Sequence, residues 1–254
     1  MKSYLIFLLF FFSFLDQQVQ SQDIDVGINE KKGSTLSNDL YFFNEDSVRV
    51  NLKTLIDKPV ILSLVYFQCP NVCTPLMNGI ADLINETKLK PGKDFDVITL
   101  SFNWDEKPDL ARKKKQNYLT MLEPGIPEDS WHFLTGDSAD IISLARETGF
   151  GFYRKDNDIF HSAAIILLSP DAMITEYMNG VEYNPEEFNI AISEAFEGKV
   201  SSLPIHKVDY CFNYEPEGRA RFRKLFRISI GVILVMLSLV FVFYPPGFKG
   251  QLKK

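Results

Sequence analysis

From Pro59 to Phe67 the chain reads Pro-Val-Ile-Leu-Ser-Leu-Val-Tyr-Phe, an uncharged run rich in large and β-branched side chains. Such a run describes a strand buried on both faces, because a strand with one wet face alternates apolar and polar residues. It therefore needs a layer above and a layer below, which makes it a central strand of a parallel or mixed sheet. Gln68-Cys69-Pro70-Asn71-Val72-Cys73-Thr74-Pro75 follows at once, and Leu76, Ile80, Leu83 and Ile84 then recur at helical spacing. The two cysteines thus fall in a strand-to-helix turn.

The rest of the middle of the chain alternates in the same way. Tyr41–Phe43 and Val48–Val50 flank the turn-rich Asn44-Glu45-Asp46-Ser47, as in a hairpin, and a short helical turn runs through Leu52–Ile56. Phe95–Phe102 is a second strand. Pro108–Leu122 is a helix with its proline in the first turn, where a missing N–H costs nothing. Trp131–Leu134 is a short strand, and Asp137 or Ser138 caps a helix that reaches Thr148 and ends at Gly149. Phe160–Leu168 is again apolar, Ser169-Pro170-Asp171 is a turn, Met173–Met178 is the return strand, and Pro185–Phe196 is a last helix. This order predicts an α/β fold, a central mixed sheet flanked by helices, in one domain over residues 39–200.

The chain ends read differently. Lys2 precedes the apolar stretch Tyr4–Leu15, and a polar segment with small or modest residues at Val19 and Ser21 follows, the layout of a signal peptide over 1–21. Residues 22–38 read as a linker and 201–227 as a charged juxtamembrane linker. Ile228–Tyr244 lacks any charge and as a helix covers about 26 Å, enough to span a bilayer core. Residues 245–254 form a tail. The bases Arg219, Arg221, Arg223, Lys224 and Arg227 outnumber Lys249, Lys253 and Lys254 and on charge alone favour a cytoplasmic domain. The export signal opposes this and carries the domain across, so the expected protein is anchored in the cell's inner membrane with its domain on the periplasmic or extracytoplasmic side. The basic cluster then contacts lipid headgroups beside the C-terminal helix. With the apolar excess confined to the ends, the domain itself is expected to be soluble and monomeric. A net charge of −6 argues against nucleic acid as a partner.

Three cysteines, Cys69, Cys73 and Cys211, are too few for a disulfide-stapled scaffold. Cys69 and Cys73, four apart around a helix start, come close in space, and the positive end of the helix favours thiolate over thiol. Such a pair binds a soft metal or forms a disulfide. Pro70 and Asn71 between them mark an exposed turn rather than a buried structural pair.

The segment Leu64–Pro75, with its Cys69-Pro70-Asn71-Val72-Cys73 core, resembles the copper-site loop of the Sco/SenC family, thioredoxin-fold proteins that deliver copper to respiratory oxidases. The resemblance continues through Val97–Phe102, Trp131-His132-Phe133-Leu134-Thr135-Gly136 and Phe160-His161-Ser162, and covers roughly residues 40–180. It implies a thioredoxin-like fold, a copper ion held by Cys69, Cys73 and His161, and a copper-bearing subunit of cytochrome oxidase as partner. Redox thioredoxins carry a cis-proline in the loop facing the cysteines. Here no proline occupies 158–164, and His161 can supply an imidazole to complete a site of two thiolates and one nitrogen suited to copper.

The chain departs from the family pattern at several points. Members usually have Asp directly before the ligand histidine, whereas this chain has Phe160, with Asp158 two residues earlier, so the group that orients the imidazole is not identified. The acidic motif after the second strand is matched only loosely by Asn103-Trp104-Asp105-Glu106-Lys107-Pro108-Asp109. Many members use an N-terminal anchor rather than a C-terminal one. Of the other candidate donors, His132 reads as structural, Met77 as core packing, and His206 and Cys211 as linker residues or part of a partner contact.

Two functions remain open. A copper chaperone passes its metal on by ligand exchange without turnover and is not an enzyme in the strict sense. A membrane-anchored thiol–disulfide oxidoreductase would use Cys69 and Cys73 as a redox-active pair on the cysteines of a client copper site. A peroxidase of the thioredoxin superfamily is disfavoured, because Pro70-Asn71-Val72-Cys73 lacks the Thr/Ser pattern of those enzymes.

Overall fold

A computed structural model of the chain describes residues 27–69, 72–155 and 158–201 together with Ser229. The chain divides into two units, Met1–Phe212 and Asn213–Lys254, and the fold below belongs to the first. Its strands are β1 (Tyr41–Phe43), β2 (Arg49–Asn51), β3 (Val60–Val65), β4 (Asp96–Ser101), β5 (Trp131–Leu134), β6 (Phe152–Lys155), β7 (Asp158–His161), β8 (Ala164–Leu168) and β9 (Ile174–Asn179). Its helices are α1 (Cys73–Glu86), α2 (Pro108–Leu119), α3 (Ser138–Glu147) and α4 (Pro185–Phe196), and the predicted turn at Leu52 is a 3-10 helix, Leu52–Leu55.

The main sheet has the order β5-β4-β3-β8-β9. β3 lies parallel to β4, and β4 to β5, while β8 runs antiparallel to both β3 and β9. This is a mixed α/β, thioredoxin-like sheet, and every residue of the central β3 is buried, as its uninterrupted apolar run requires. The one polar residue in β3, Ser63, is opposite Thr99 in the register. Its hydroxyl lies 2.9 Å from that of Thr99, which accepts from Trp131 Nε1 at 2.8 Å. The buried polar atoms of three adjacent strands therefore satisfy one another, which allows a serine there.

Helix termini follow local chemistry. The Asp137 carboxylate accepts from the N–H groups of Ala139 and Asp140 at the start of α3. After α3, Gly149 takes φ +65°, and a Cβ there would lie 1.8 Å from the Asn29 carbonyl oxygen. Glycine thus provides both the left-handed exit and the close approach. α2 stops at Leu119 rather than at the expected Leu122, with Thr120 as its C-cap.

Two further differences bear on the site. The apolar stretch Phe160–Leu168 is not one strand: β7 ends at His161 and β8 begins at Ala164. β7 forms its own two-stranded ladder with β6, pairing Phe152 with His161. Residues 27–36, within the segment read as a linker, lie along the domain through backbone bonds that no apolar period reports. Ile28 bridges Phe150, Thr35 bridges Met173, and Leu36 is buried. No helix among the described residues is long and apolar enough to cross a membrane. The expected signal peptide 1–21 lies outside the described residues, as does the expected span 228–244 apart from Ser229.

Candidate metal centre

The sheet order brings the chemistry together. β3 and β8 are antiparallel neighbours with Ser63 opposite Ile165, so the chain leaves β3 toward Cys69 at the same sheet end where it arrives from His161 to enter β8. Cys73 is the first residue of α1. Ligand atoms from Cys69, Cys73 and His161 all lie within 4.8 Å of one another, and among the described residues this is the group of His, Cys, Asp and Glu side chains able to share an ion. Cys73 Sγ is 3.4 Å from His161 Nε2 and accepts the backbone N–H of Tyr66 at 3.4 Å. Cys73 and His161 are buried, while Cys69 is half-buried.

His161 is oriented from both sides. Its Nδ1 lies 2.8 Å from the carbonyl oxygen of Ser162. A carbonyl can only accept, so Nδ1 carries the hydrogen, and in the neutral ring the lone pair is left on Nε2, facing the cysteines. The Ser162 carbonyl thereby does what the family's usual carboxylate, replaced here by Phe160, would do. The rings of Phe102, Tyr66 and Phe150 surround the imidazole at centroid distances of 4.9, 5.9 and 6.0 Å. Packing on this scale fixes the ring plane.

The helix start does not leave Cys73 as a thiolate. Burial, followed by the neighbouring Cys69 and, less strongly, the charge of Glu106, pushes its thiol well above the ordinary value of 9.0, while the Tyr66 N–H pulls the other way. Loss of solvation outweighs the helix end, so Cys73 holds its proton near neutrality. Binding of a cation displaces that proton.

No distinctive sequence pattern marks the supports of this site. Glu106, in the loosely matched acidic stretch, is buried, and its carboxylate accepts from Phe67 N–H at 2.7 Å, Gln68 N–H at 2.8 Å and Ser101 Oγ at 2.6 Å. Beside it, Asp105 pairs with Arg154, whose guanidinium also lies 5.2 Å from the Trp104 ring centroid. Arg154 belongs to β6, so this contact fastens the ladder that carries His161 to the loop that carries Glu106.

The other candidate donors fall elsewhere. His132 pairs with Ile98 in the sheet and Met77 is buried in the core. His206 and Cys211 lie outside the described residues. The donor set that remains, two sulfurs and one imidazole nitrogen, is of the soft type that suits copper.

Protein SCO1 homolog 1, mitochondrial, of Arabidopsis thaliana is 25% identical over 138 residues, which cover 52% of this chain and 39% of that protein. The chain thus matches well under two thirds of that relative's length. Among solved structures, a protein of Aquifex aeolicus VF5 is similar at TM-score 0.60 and 28% identity, over 69% of this chain and 100% of that one. Arabidopsis thaliana ScoI with copper bound is similar at TM-score 0.52 and 19% identity, over 66% of this chain and 99% of that one, a likeness of fold. The SCO1/SenC family description matches residues 29–197, a stretch that contains all three donors and more than half of the chain. The chain belongs to the SCO1/SenC family.

Proposed function

We propose that this protein is a copper metallochaperone for the copper centre of a respiratory cytochrome c oxidase, holding the metal through the thiolates of Cys69 and Cys73 and the imidazole of His161. The observation that carries the reading is the convergence of these three donor atoms within 4.8 Å, with the Nε2 lone pair turned toward the sulfurs. Membership of the SCO1/SenC family and the copper bound by Arabidopsis ScoI favour copper over other soft ions. The copper-bearing oxidase subunit is the partner that family membership suggests. Three donors with one half-exposed suit a cargo rather than a closed structural site, since an incoming ligand can begin exchange at Cys69. The domain works on the extracytoplasmic face of the inner membrane, tethered by 228–244.

A thiol–disulfide oxidoreductase is the second reading, favoured by the nearness of the Cys69 and Cys73 sulfurs, which lie within 4.8 Å of each other. Against it stands the buried, protonated Cys73, because thiol exchange needs an accessible thiolate. Substitution of His161 separates the two, since the imidazole is a ligand but takes no part in sulfur exchange. His161→Ala should abolish or strongly reduce copper stoichiometry and the support of oxidase assembly, while the Cys69–Cys73 disulfide still forms. Unchanged copper content in His161→Ala would remove His161 from the site and favour the oxidoreductase.

A further inference from the structure

Glu106 is a buried carboxylate that no lysine or arginine among the described residues pairs with. A carboxylate in that position costs solvation that an apolar residue of similar size would not. Something specific must offset the cost, and the contacts identify it. β3 ends at Val65, whose carbonyl still accepts from Phe102 N–H at 2.8 Å. Beyond this the chain leaves the sheet, and Phe67 and Gln68 would present consecutive N–H groups without a ladder partner. The two Glu106 oxygens take one each, at 2.7 and 2.8 Å, and Ser101 Oγ, at 2.6 Å, steadies the carboxylate from β4. The next residue, Cys69, closes the turn by donating its N–H to Tyr66 O at 3.1 Å.

We infer that Glu106 is a positioning residue for the metal centre, its carboxylate fixing the Phe67–Gln68 turn so that Cys69 faces Cys73 and His161. This rests on the copper reading above. An apolar side chain can fill the same space but cannot accept two backbone N–H groups and a hydroxyl. An amide can do so only in part, because one of its two polar ends is itself a donor and would confront a backbone N–H.

The test uses the full chain in detergent and the variants Glu106→Gln and Glu106→Asp. Copper retention is measured against a competing chelator, and the Cu(II)–thiolate charge-transfer absorption is recorded. Disulfide formation is measured on metal-free protein with glutathione disulfide, in which Cys69 and Cys73 lose two protons and two electrons and the oxidant becomes two glutathione thiols. Glu106→Gln should retain copper about 10- to 100-fold less well, the usual effect of losing a group that orients a ligand. Its charge-transfer absorption should shift, its disulfide should form more slowly, and it should still unfold cooperatively. Glu106→Asp keeps both oxygens one methylene further back and should be intermediate in each readout. If Glu106→Gln does not fold, Glu106→Asp decides. Wild-type copper retention together with wild-type disulfide formation, in whichever variant folds, overturns the inference. Wild-type protein that retains no copper sinks the copper reading instead, and the disulfide rates then decide by themselves whether Glu106 positions Cys69.

Discussion

Gly79 lies in the buried middle of α1, six residues after Cys73, and on helix propensity alone Gly79→Ala should stabilise the protein by about 1 kcal/mol. The structure reverses the sign. A Cβ at position 79 would be 1.9 Å from the carbonyl oxygen of Val181, 2.9 Å from its carbonyl carbon and 3.4 Å from the Tyr183 ring. Relaxed carbon–oxygen contacts lie near about 3.3 Å, so helix and loop must part by roughly 1.4 Å. Both sides of the contact are backbone, and no rotamer change can absorb the displacement. The loop is also held: Gly180 donates its N–H to Ala163 O at 2.9 Å and accepts from the Tyr183 hydroxyl at 2.9 Å. Overpacking of this kind costs about 1–3 kcal/mol, and backbone on both sides argues for the upper end. Subtracting the propensity gain leaves a net loss of about 2 kcal/mol. Because α1 begins with Cys73 and Ala163 is two residues from His161, the same displacement disturbs the spacing of two donors, and copper retention should fall alongside stability. Urea unfolding of wild type and Gly79→Ala, with the slope compared to confirm that the same transition is observed, measures the effect. A variant as stable as wild type, or more so, would refute the reasoning.

Two other expectations are independent of the site. Burial, and after it the charge of Lys115, holds the proton affinity of His132 below its ordinary value of 6.5. The unfolded chain therefore takes up this proton first as pH falls, so the contribution to stability is complete above pH 6.5 and is lost as pH drops below it. His132→Gln should flatten that part of the stability profile, and an unaltered slope would show that another group is responsible. For topology, protease added to intact cells with a permeabilised outer layer should digest the domain, and protection of the whole domain would overturn the extracytoplasmic assignment.

The features legible in the sequence are those in which side-chain pattern and backbone role coincide. The run Val60–Val65 is apolar because both its faces are covered, and the helix after it keeps Leu76, Ile80, Leu83 and Ile84 inward at helical spacing. The β6–β7 ladder was hidden for the opposite reason. Tyr153, Arg154 and Lys155 look like solvent-facing chain, and the apolar character of Ile159 and Phe160 merges with that of β8. The break at Ser162–Ala163, between the ladder that ends at His161 and the strand that begins at Ala164, is a backbone feature that hydropathy does not record.

The same distinction runs through the metal centre. Its three donors could be named because thiols and imidazoles are chemically conspicuous, but what orients them is mostly backbone. The Tyr66 N–H meets Cys73, the Ser162 carbonyl fixes the imidazole, and the Phe67 and Gln68 N–H groups bind Glu106. Backbone groups are the same in every residue, so their contribution leaves no trace in composition or spacing. The state of Cys73 was unreadable for a related reason. Its position at a helix start argues for a thiolate, and only its burial against Cys69, a tertiary property, shows that desolvation wins. A sequence can therefore identify which atoms are able to hold a soft ion, while the proton that binding must displace and the geometry that makes it displaceable are properties of the fold.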